Sequence, residues 1–458
     1  MAIISITAFI FVTIVYFVML KQNGMGRWLF AFPFTLIIVQ FFIHFRLLAD
    51  SSKSMAVDIS IGLSAIIYFL AFFMAYYFPS ESYVTKTAKY LLVPTPLRIH
   101  FTSHLRFYTI ILTVIFLFLF WSWRIQLYGS FTEASLAMYS RISPENEEKI
   151  FVSRIPLVLY QFICVLLSYR FFLQFGEKRD QGFNFIDLIC IVLLIFSIAT
   201  TGSRGCMFIL PLLFLFTGFI AFANKLRFQA GMITRVYVVS ISCLCIFLGL
   251  TLGSIRGARY DSFGEVLNDL NFENQYQGLQ SIVWHGDFEG KSNYPANIVA
   301  QCMEMYGNEV AFLGLHYTPY TMAVNPIPRI FWESKPMGFG RVFVLDYHNL
   351  AESSHSVGAG TFGEGYAAWG YAGGVIYTLI FAAIAGLAAR FYVVLLKNAT
   401  YYIEHWIFAL LFFNFSILFV RGDMLSAWVT GAYPLIIAIV CVFTLRTLFS
   451  LRPKTIHN

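Results

Sequence analysis

Six arginines in this chain stand where arginine is more useful for chemistry than for packing. They are Arg204 in Thr201-Gly-Ser-Arg-Gly205, Arg256, Arg259, Arg329 in Asn325-Pro-Ile-Pro-Arg-Ile-Phe-Trp-Glu-Ser-Lys-Pro336, Arg341, and Arg421 in Arg421-Gly-Asp423. A guanidinium stays charged at any relevant pH, and its planar fork meets two phosphate oxygens at once. A group of them at one membrane boundary suits an anionic lipid headgroup, a lipid pyrophosphate above all. Taken singly, each is equally explained by snorkelling to an interface or by pairing with a loop carboxylate. Six on one side, two of them in turns of a few residues, favour an anion site. Candidate general bases accompany them: His285, His316, His348, His355 and Glu364, with Asp287 and Asp423 behind. A sugar hydroxyl attacking an anomeric carbon needs a base within hydrogen-bond reach and with a suitable pKa. Spacing does not choose among these candidates, and a lone loop histidine is more often solvated or structural. Trp284, Tyr294, Trp332, Tyr366 and Trp369 offer flat apolar faces for sugar rings, and they serve equally as interfacial anchors.

The elements that must position these residues are membrane helices. The chain is 59% hydrophobic and only 12% charged, against about 25% charged residues in soluble domains, so the expected fold class is an all-α polytopic membrane protein. Apolar runs at about 2–20, 28–49, 57–78, 104–125, 155–174, 184–200, 206–223 and 233–252 predict eight spanning helices. Runs at about 367–389, 402–420 and 424–447 bring the expected total to about 11. Between the two groups lies a polar interruption, 253–366, holding 12 of the 24 acidic residues and four of the nine histidines. The expected organisation is therefore 1–252 (eight spans), 253–366 (a large loop) and 367–458 (three spans and a tail), all within a single integral membrane domain. Within the loop, Phe263, Val266, Leu267 and Leu270 have amphipathic helical spacing that suits a membrane surface.

Lysine and arginine in the short loops set the orientation. If the helices alternate, Lys21, Arg27, Lys86, Lys89, Arg98, Arg106, Lys178, Arg179, Lys225, Arg227, Arg235, Arg390, Lys397 and the tail residues Arg446, Arg452 and Lys454 fall on one side, the expected cytoplasm. The N-terminus, the loop at about 126–154 with its acidic run Glu145-Asn-Glu-Glu148, and the large loop are then outside. So are the six arginines, against the positive-inside bias. The first apolar run lacks a basic n-region and an A-x-A cleavage site, and is read as a retained span.

Several chemistries lack support. There is no Asp-x-Asp metal-nucleotide motif, Walker loop, G-x-S-x-G elbow or H-E-x-x-H helix. No metal site or cofactor is expected. Cys243-x-Cys245 sits in a continuous apolar segment and is read as core. A secondary transporter would bury charges at mid-bilayer, whereas here charge gathers at the outer edge.

The turn Thr201-Gly-Ser-Arg-Gly205, the run Pro-x-Pro-Arg-x-x-Trp-x-x-Lys-Pro at 326–336, and Gly363-Glu-Gly-Tyr366 followed by Trp369-Gly-Tyr-Ala-Gly373 resemble the Wzy-type O-antigen and capsule repeat-unit polymerases. The Arg421-Gly-Asp423 turn is similar to that family's as well. The resemblance covers most of residues 200–425 in order, and the first 180 residues match in hydropathy only. It implies an integral-membrane glycosyltransferase fold (GT-C-like, related in architecture to O-antigen ligases) in the bacterial inner membrane. It implies a metal-independent reaction at the periplasmic face, in which a growing glycan passes from undecaprenyl pyrophosphate to the non-reducing end of a new lipid-linked repeat unit. The implied partners are undecaprenyl-pyrophosphate-linked oligosaccharides, membrane lipid and a chain-length-determining co-polymerase, with no nucleic acid. The resemblance places Arg204, Arg256, Arg329 and Arg421 at the substrate site with Glu364 and His355 near it. Catalytic roles are expected for Glu364, His355 and Arg421, and substrate binding for Arg204, Arg256, Arg259, Arg329, Arg341 and Asp423. Arg259 and Arg341 rest on charge placement alone. An O-antigen ligase transferring glycan to lipid A-core, or a lipid-linked oligosaccharide flippase, remains the alternative.

Overall fold

The fold was obtained as a computed structural model. It describes residues 7–8, 10–14, 34–35, 37–38, 55–92, 100, 103–136, 150–174, 184–200, 204–223, 232–251, 264–265, 268, 287–288, 291–292, 295–327, 331–332, 334–348, 358–398, 402–420 and 424–450. Regular structure among the described residues is helical apart from two strands of two residues each, Asp287–Phe288 and Lys291–Ser292. Five helices are long and apolar enough to cross a bilayer, and four shorter apolar helices accompany them, among the described residues. This is an α-helical, membrane-embedded protein. Helices at Met55–Tyr77, Leu105–Tyr128, Ile150–Leu173, Phe185–Ala199, Arg204–Ala223, Met232–Thr251, Ile403–Leu418 and Tyr433–Ser450 fall on runs picked out by hydropathy. Most of the first two runs, at 2–20 and 28–49, and most of the amphipathic segment after Phe263 lie outside the described residues.

The chain forms two compact units, Met1–Leu97 with Lys291–Asn458, and Arg98–Gly290. In the first, Met55–Tyr77 runs parallel to the long helix Gly360–Asn398. Phe72 packs its backbone against Gly386, where a Cβ would meet the Phe72 carbonyl oxygen at 2.2 Å. One turn further along both helices, the Arg390 guanidinium lies 5.3 Å from the Tyr76 ring centroid. Small residues at such a crossing let two backbones approach where lipid offers no hydrophobic driving force for association. Ile403–Leu418 packs antiparallel on the long helix, as the ring pairs Phe391–Phe412 at 5.0 Å and Phe381–Phe419 at 5.1 Å require. Met424–Ala427 continues through a π turn, Trp428–Ala432, into Tyr433–Ser450, making one final helix. Within the π turn, the Thr430 carbonyl accepts the side-chain amide of Asn414, 3.2 Å.

The second unit packs Leu105–Tyr128 against Ile150–Leu173 through Phe116 and Tyr160, 6.1 Å between ring centroids. Trp121 stacks on Phe196 and donates its indole N–H to Ser197, 3.1 Å. Charges from three of the expected spans, close to their ends, meet here. Arg170, fully buried, donates to both oxygens of buried Asp187 at 2.7 and 2.9 Å, and the Arg106 Nε lies 3.6 Å from the same carboxylate. Asp187 also completes a capping box with Asn184 at the head of Phe185–Ala199. One carboxylate thus fixes a helix start and neutralises a buried guanidinium.

Candidate functional site

Glu364 is the only one of the three expected catalytic residues that the structure describes, and it is buried to 1% exposure. Its position follows from the backbone around it. The helix that opens at Gly360 is broken at Trp369 (φ −160°, ψ 45°) and Gly370 (φ 60°), so the chain turns back and restarts. A positive φ at this turn costs glycine nothing. The short limb then lies against the long one so closely that a Cβ on Gly365 would meet the Gly373 carbonyl oxygen at 2.4 Å, and one on Gly373 the Gly365 oxygen at 2.1 Å. Gly363-Glu-Gly-Tyr366 and Trp369-Gly-Tyr-Ala-Gly373 are therefore the two limbs of one helical hairpin. The sequence reading starts this helix at 367; the structure starts it at Gly360 because these glycines let the limbs close on each other. The last carbonyls of the short limb, orphaned by the break, accept backbone N–H groups from Leu313 (to Ala367, 3.0 Å) and Gly314 (to Ala368, 2.9 Å).

Within this hairpin the Glu364 carboxylate faces two further segments. Thr318, in the helix Tyr317–Val324, donates its hydroxyl to Glu364 Oε1 at 2.6 Å. The backbone N–H of Met424, first residue of the final helix, donates to Oε2 at 2.9 Å. The first N–H groups of a helix have no partner within it, and their end of the dipole favours negative charge. Glu364 supplies both needs from another helix. Cys302, fully buried in Pro295–Met305, is its electrostatic neighbour; burial, then the Glu364 carboxylate, push that thiol well up, so it stays protonated and unreactive.

The run 325–336 is tied into the same unit. Asn325 accepts the Tyr433 hydroxyl of the final helix, 3.2 Å, through its side-chain oxygen. Lys335 donates to the carbonyls of Asn325 (3.1 Å) and Ile327 (2.8 Å), closing the run on itself. Trp332 donates its indole N–H to Ser334, 3.1 Å, and stands edge-on to Tyr320. Lys335 and Asn325 thus hold the loop around its prolines, roles that the sequence reading did not assign.

Of the other expected site residues, Arg341 lies half-buried in the first turn of Phe339–His348, where desolvation lowers its pKa. Arg204 opens the helix Arg204–Ala223, and its side chain is not described. Arg256, Arg259, Arg329, His355, Arg421 and Asp423 lie outside the described residues. Among the remaining base candidates, His316 is exposed and precedes Tyr317–Val324, accepting the Tyr320 N–H through its backbone carbonyl at 2.9 Å. Tyr366 is buried, while Trp369 is exposed at the hairpin turn.

Thr318 is the site residue the sequence reading missed. It stands 46 residues from Glu364, and a single threonine in a polar stretch carries no pattern that would mark it. In the other unit, Arg124 is a buried charge that the sequence reading did not single out. It is buried at the end of Leu105–Tyr128 against the Phe120 and Tyr128 rings, and it donates to the Ala134 carbonyl of the short helix Phe131–Leu136. No group of three or more metal-ligating side chains occurs among the described residues. Family models, curated proteins and solved structures were each compared with the chain, and none matches it.

Proposed function

We propose that this protein is an oligosaccharide repeat-unit polymerase of the O-antigen or capsule type, an integral-membrane glycosyltransferase acting at the periplasmic face of a bacterial inner membrane. The acceptor is the non-reducing end of a new lipid-linked repeat unit. Its hydroxyl oxygen bonds to the anomeric carbon of the growing glycan as the bond from that carbon to the undecaprenyl pyrophosphate oxygen breaks. The hydroxyl proton passes to a general base, and the electron pair leaves on the pyrophosphate. Arginines facing that departing anion lower the barrier by meeting charge as it develops. An activated donor needs little more than that, a base and correct positioning.

One observation carries this reading. Residues in or next to three of the four motif-bearing segments, far apart in sequence, are hydrogen-bonded within one unit. Glu364 of the Gly363-Glu-Gly-Tyr366 limb accepts the N–H of Met424, the residue that follows Arg421-Gly-Asp423. Asn325, which opens the Pro-x-Pro-Arg run, accepts the hydroxyl of Tyr433 in the helix that Met424 begins. A structure in which the arginine-bearing turns share hydrogen-bonded anchors suits a single anion site.

The test is reconstitution in lipid nanodiscs with lipid-linked repeat units, without metal or nucleotide, and separation of the products on a gel. A ladder of added repeats is the expected result. Glycan transfer only when lipid A-core is supplied makes the protein a ligase, and no transfer in either assay returns the reading to a flippase.

A further inference from the structure

We propose that Glu364 is a positioning residue, a clamp fixing the head of the final helix from which the chain runs back to Arg421, and not the base of the reaction. This rests on the polymerase reading for its meaning, though not for its geometry. Glu364 is buried, and each of its oxygens accepts a hydrogen bond from a different segment: Thr318 to Oε1, 2.6 Å, and the Met424 N–H to Oε2, 2.9 Å. A general base must reach the proton it removes with a free lone pair in the substrate's path. Here both oxygens face fixed donors of the protein instead, and one of them is a backbone group that no rotamer change can withdraw. Three peptide bonds join Arg421 to Met424 along the chain. In the polymerase reading, a shift of that N–H is passed along the chain to the arginine assigned to the leaving pyrophosphate, and a small error in such positioning is enough to slow a reaction strongly.

The two roles separate on one substitution. Glutamine has the shape of glutamate: its amide oxygen accepts the Met424 N–H, and its NH₂ donates to the Thr318 oxygen, which accepts as readily as it donates. Glu364→Gln thus keeps the clamp and removes any basicity. Glu364→Ala removes both.

Polymerisation rates and hydrogen–deuterium exchange of the Met424 amide are measured in nanodiscs for the wild type, E364A, E364Q and Thr318→Val. The clamp predicts faster Met424 exchange in E364A and a smaller rise in T318V, with protection kept in E364Q. It predicts polymer formation down about 100-fold or more in E364A and restored to within about tenfold of wild type in E364Q, since neutral hydrogen bonds replace charge-assisted ones. An E364Q protein that keeps Met424 protection but loses activity as fully as E364A makes Glu364 the base and overturns the proposal. Unchanged Met424 exchange in E364A and T318V overturns it as well. If E364A does not fold, T318V and E364Q alone decide. If the wild type makes no polymer, the polymerase reading fails while the exchange data still judge the clamp.

Discussion

In the proposed polymerase reaction, the leaving group sets what single side chains must do. A pyrophosphate departing without metal presents several oxygens over which charge grows, and a guanidinium fork meets two of them where an ammonium meets one. Arg421→Ala and Arg204→Ala should each strongly slow polymer formation in the nanodisc assay while the protein still inserts and folds. Loss of a hydrogen bond between charged groups, about 1.5–3 kcal/mol, is a slowing of about 10–150-fold. Arg421→Lys should recover only part of it. Normal ladders from both alanine variants would remove the pyrophosphate site. Cys302 gives the opposite expectation. Its thiol sits beside Glu364 with its pKa pushed up by burial, so it is no nucleophile, and Cys302→Ala should leave the ladder unchanged. Inhibition by that substitution would mean that the surroundings of Glu364 do more than clamp a helix.

Helices set what those side chains can reach, and here the sequence is legible unevenly. Hydropathy finds Met55–Tyr77, Leu105–Tyr128 and Ile403–Leu418 to within a few residues, because a backbone in lipid must pair internally and a long apolar run has one way to do so. It misses the limb at 360–368, which is short, rich in glycine, and packed against the longer limb and the backbone of Leu313 and Gly314. It likewise misses Arg170 with Asp187, since each charge alone reads as a span end and only folding makes them a pair. The glycine contacts give the hairpin a test. Gly373→Ala puts a Cβ 2.1 Å from the Gly365 carbonyl oxygen, backbone against backbone, whereas Gly218 in Arg204–Ala223 has nothing within 4 Å of a new Cβ. G373A should lower the thermal unfolding midpoint and cost about 1–3 kcal/mol, as overpacking does. G218A should be neutral or gain about 0.5–1 kcal/mol of helix propensity. Equal midpoints for the two variants would mean that the limbs do not close as described.

For the molecule as a whole, the question is whether strict alternation of spans gives the right sides. The contacts within each unit agree with it. Arg106, Arg170 and Asp187 meet, and alternation assigns the ends that carry them to one side. Arg446 donates to the Lys89 and Tyr90 carbonyls, again joining two segments assigned to that side. Glu364, Thr318 and Met424, all assigned to the other side, also meet. Met55–Tyr77 runs parallel to the long helix, as two odd-numbered spans must. Within either unit, a count of spans wrong by an odd number between two of these partners would place them on opposite faces. Single cysteines in a cysteine-free background test the assignment directly. At exposed Thr132 and Glu309, an impermeant maleimide should label whole cells; at exposed Lys86 and Ser103, it should label only after the membrane is opened. Mixed labelling within either set would break the alternation. Clean labelling of the opposite set would invert the protein, turn the arginine-bearing turns to the cytoplasm, and leave a periplasmic polymerase without its site.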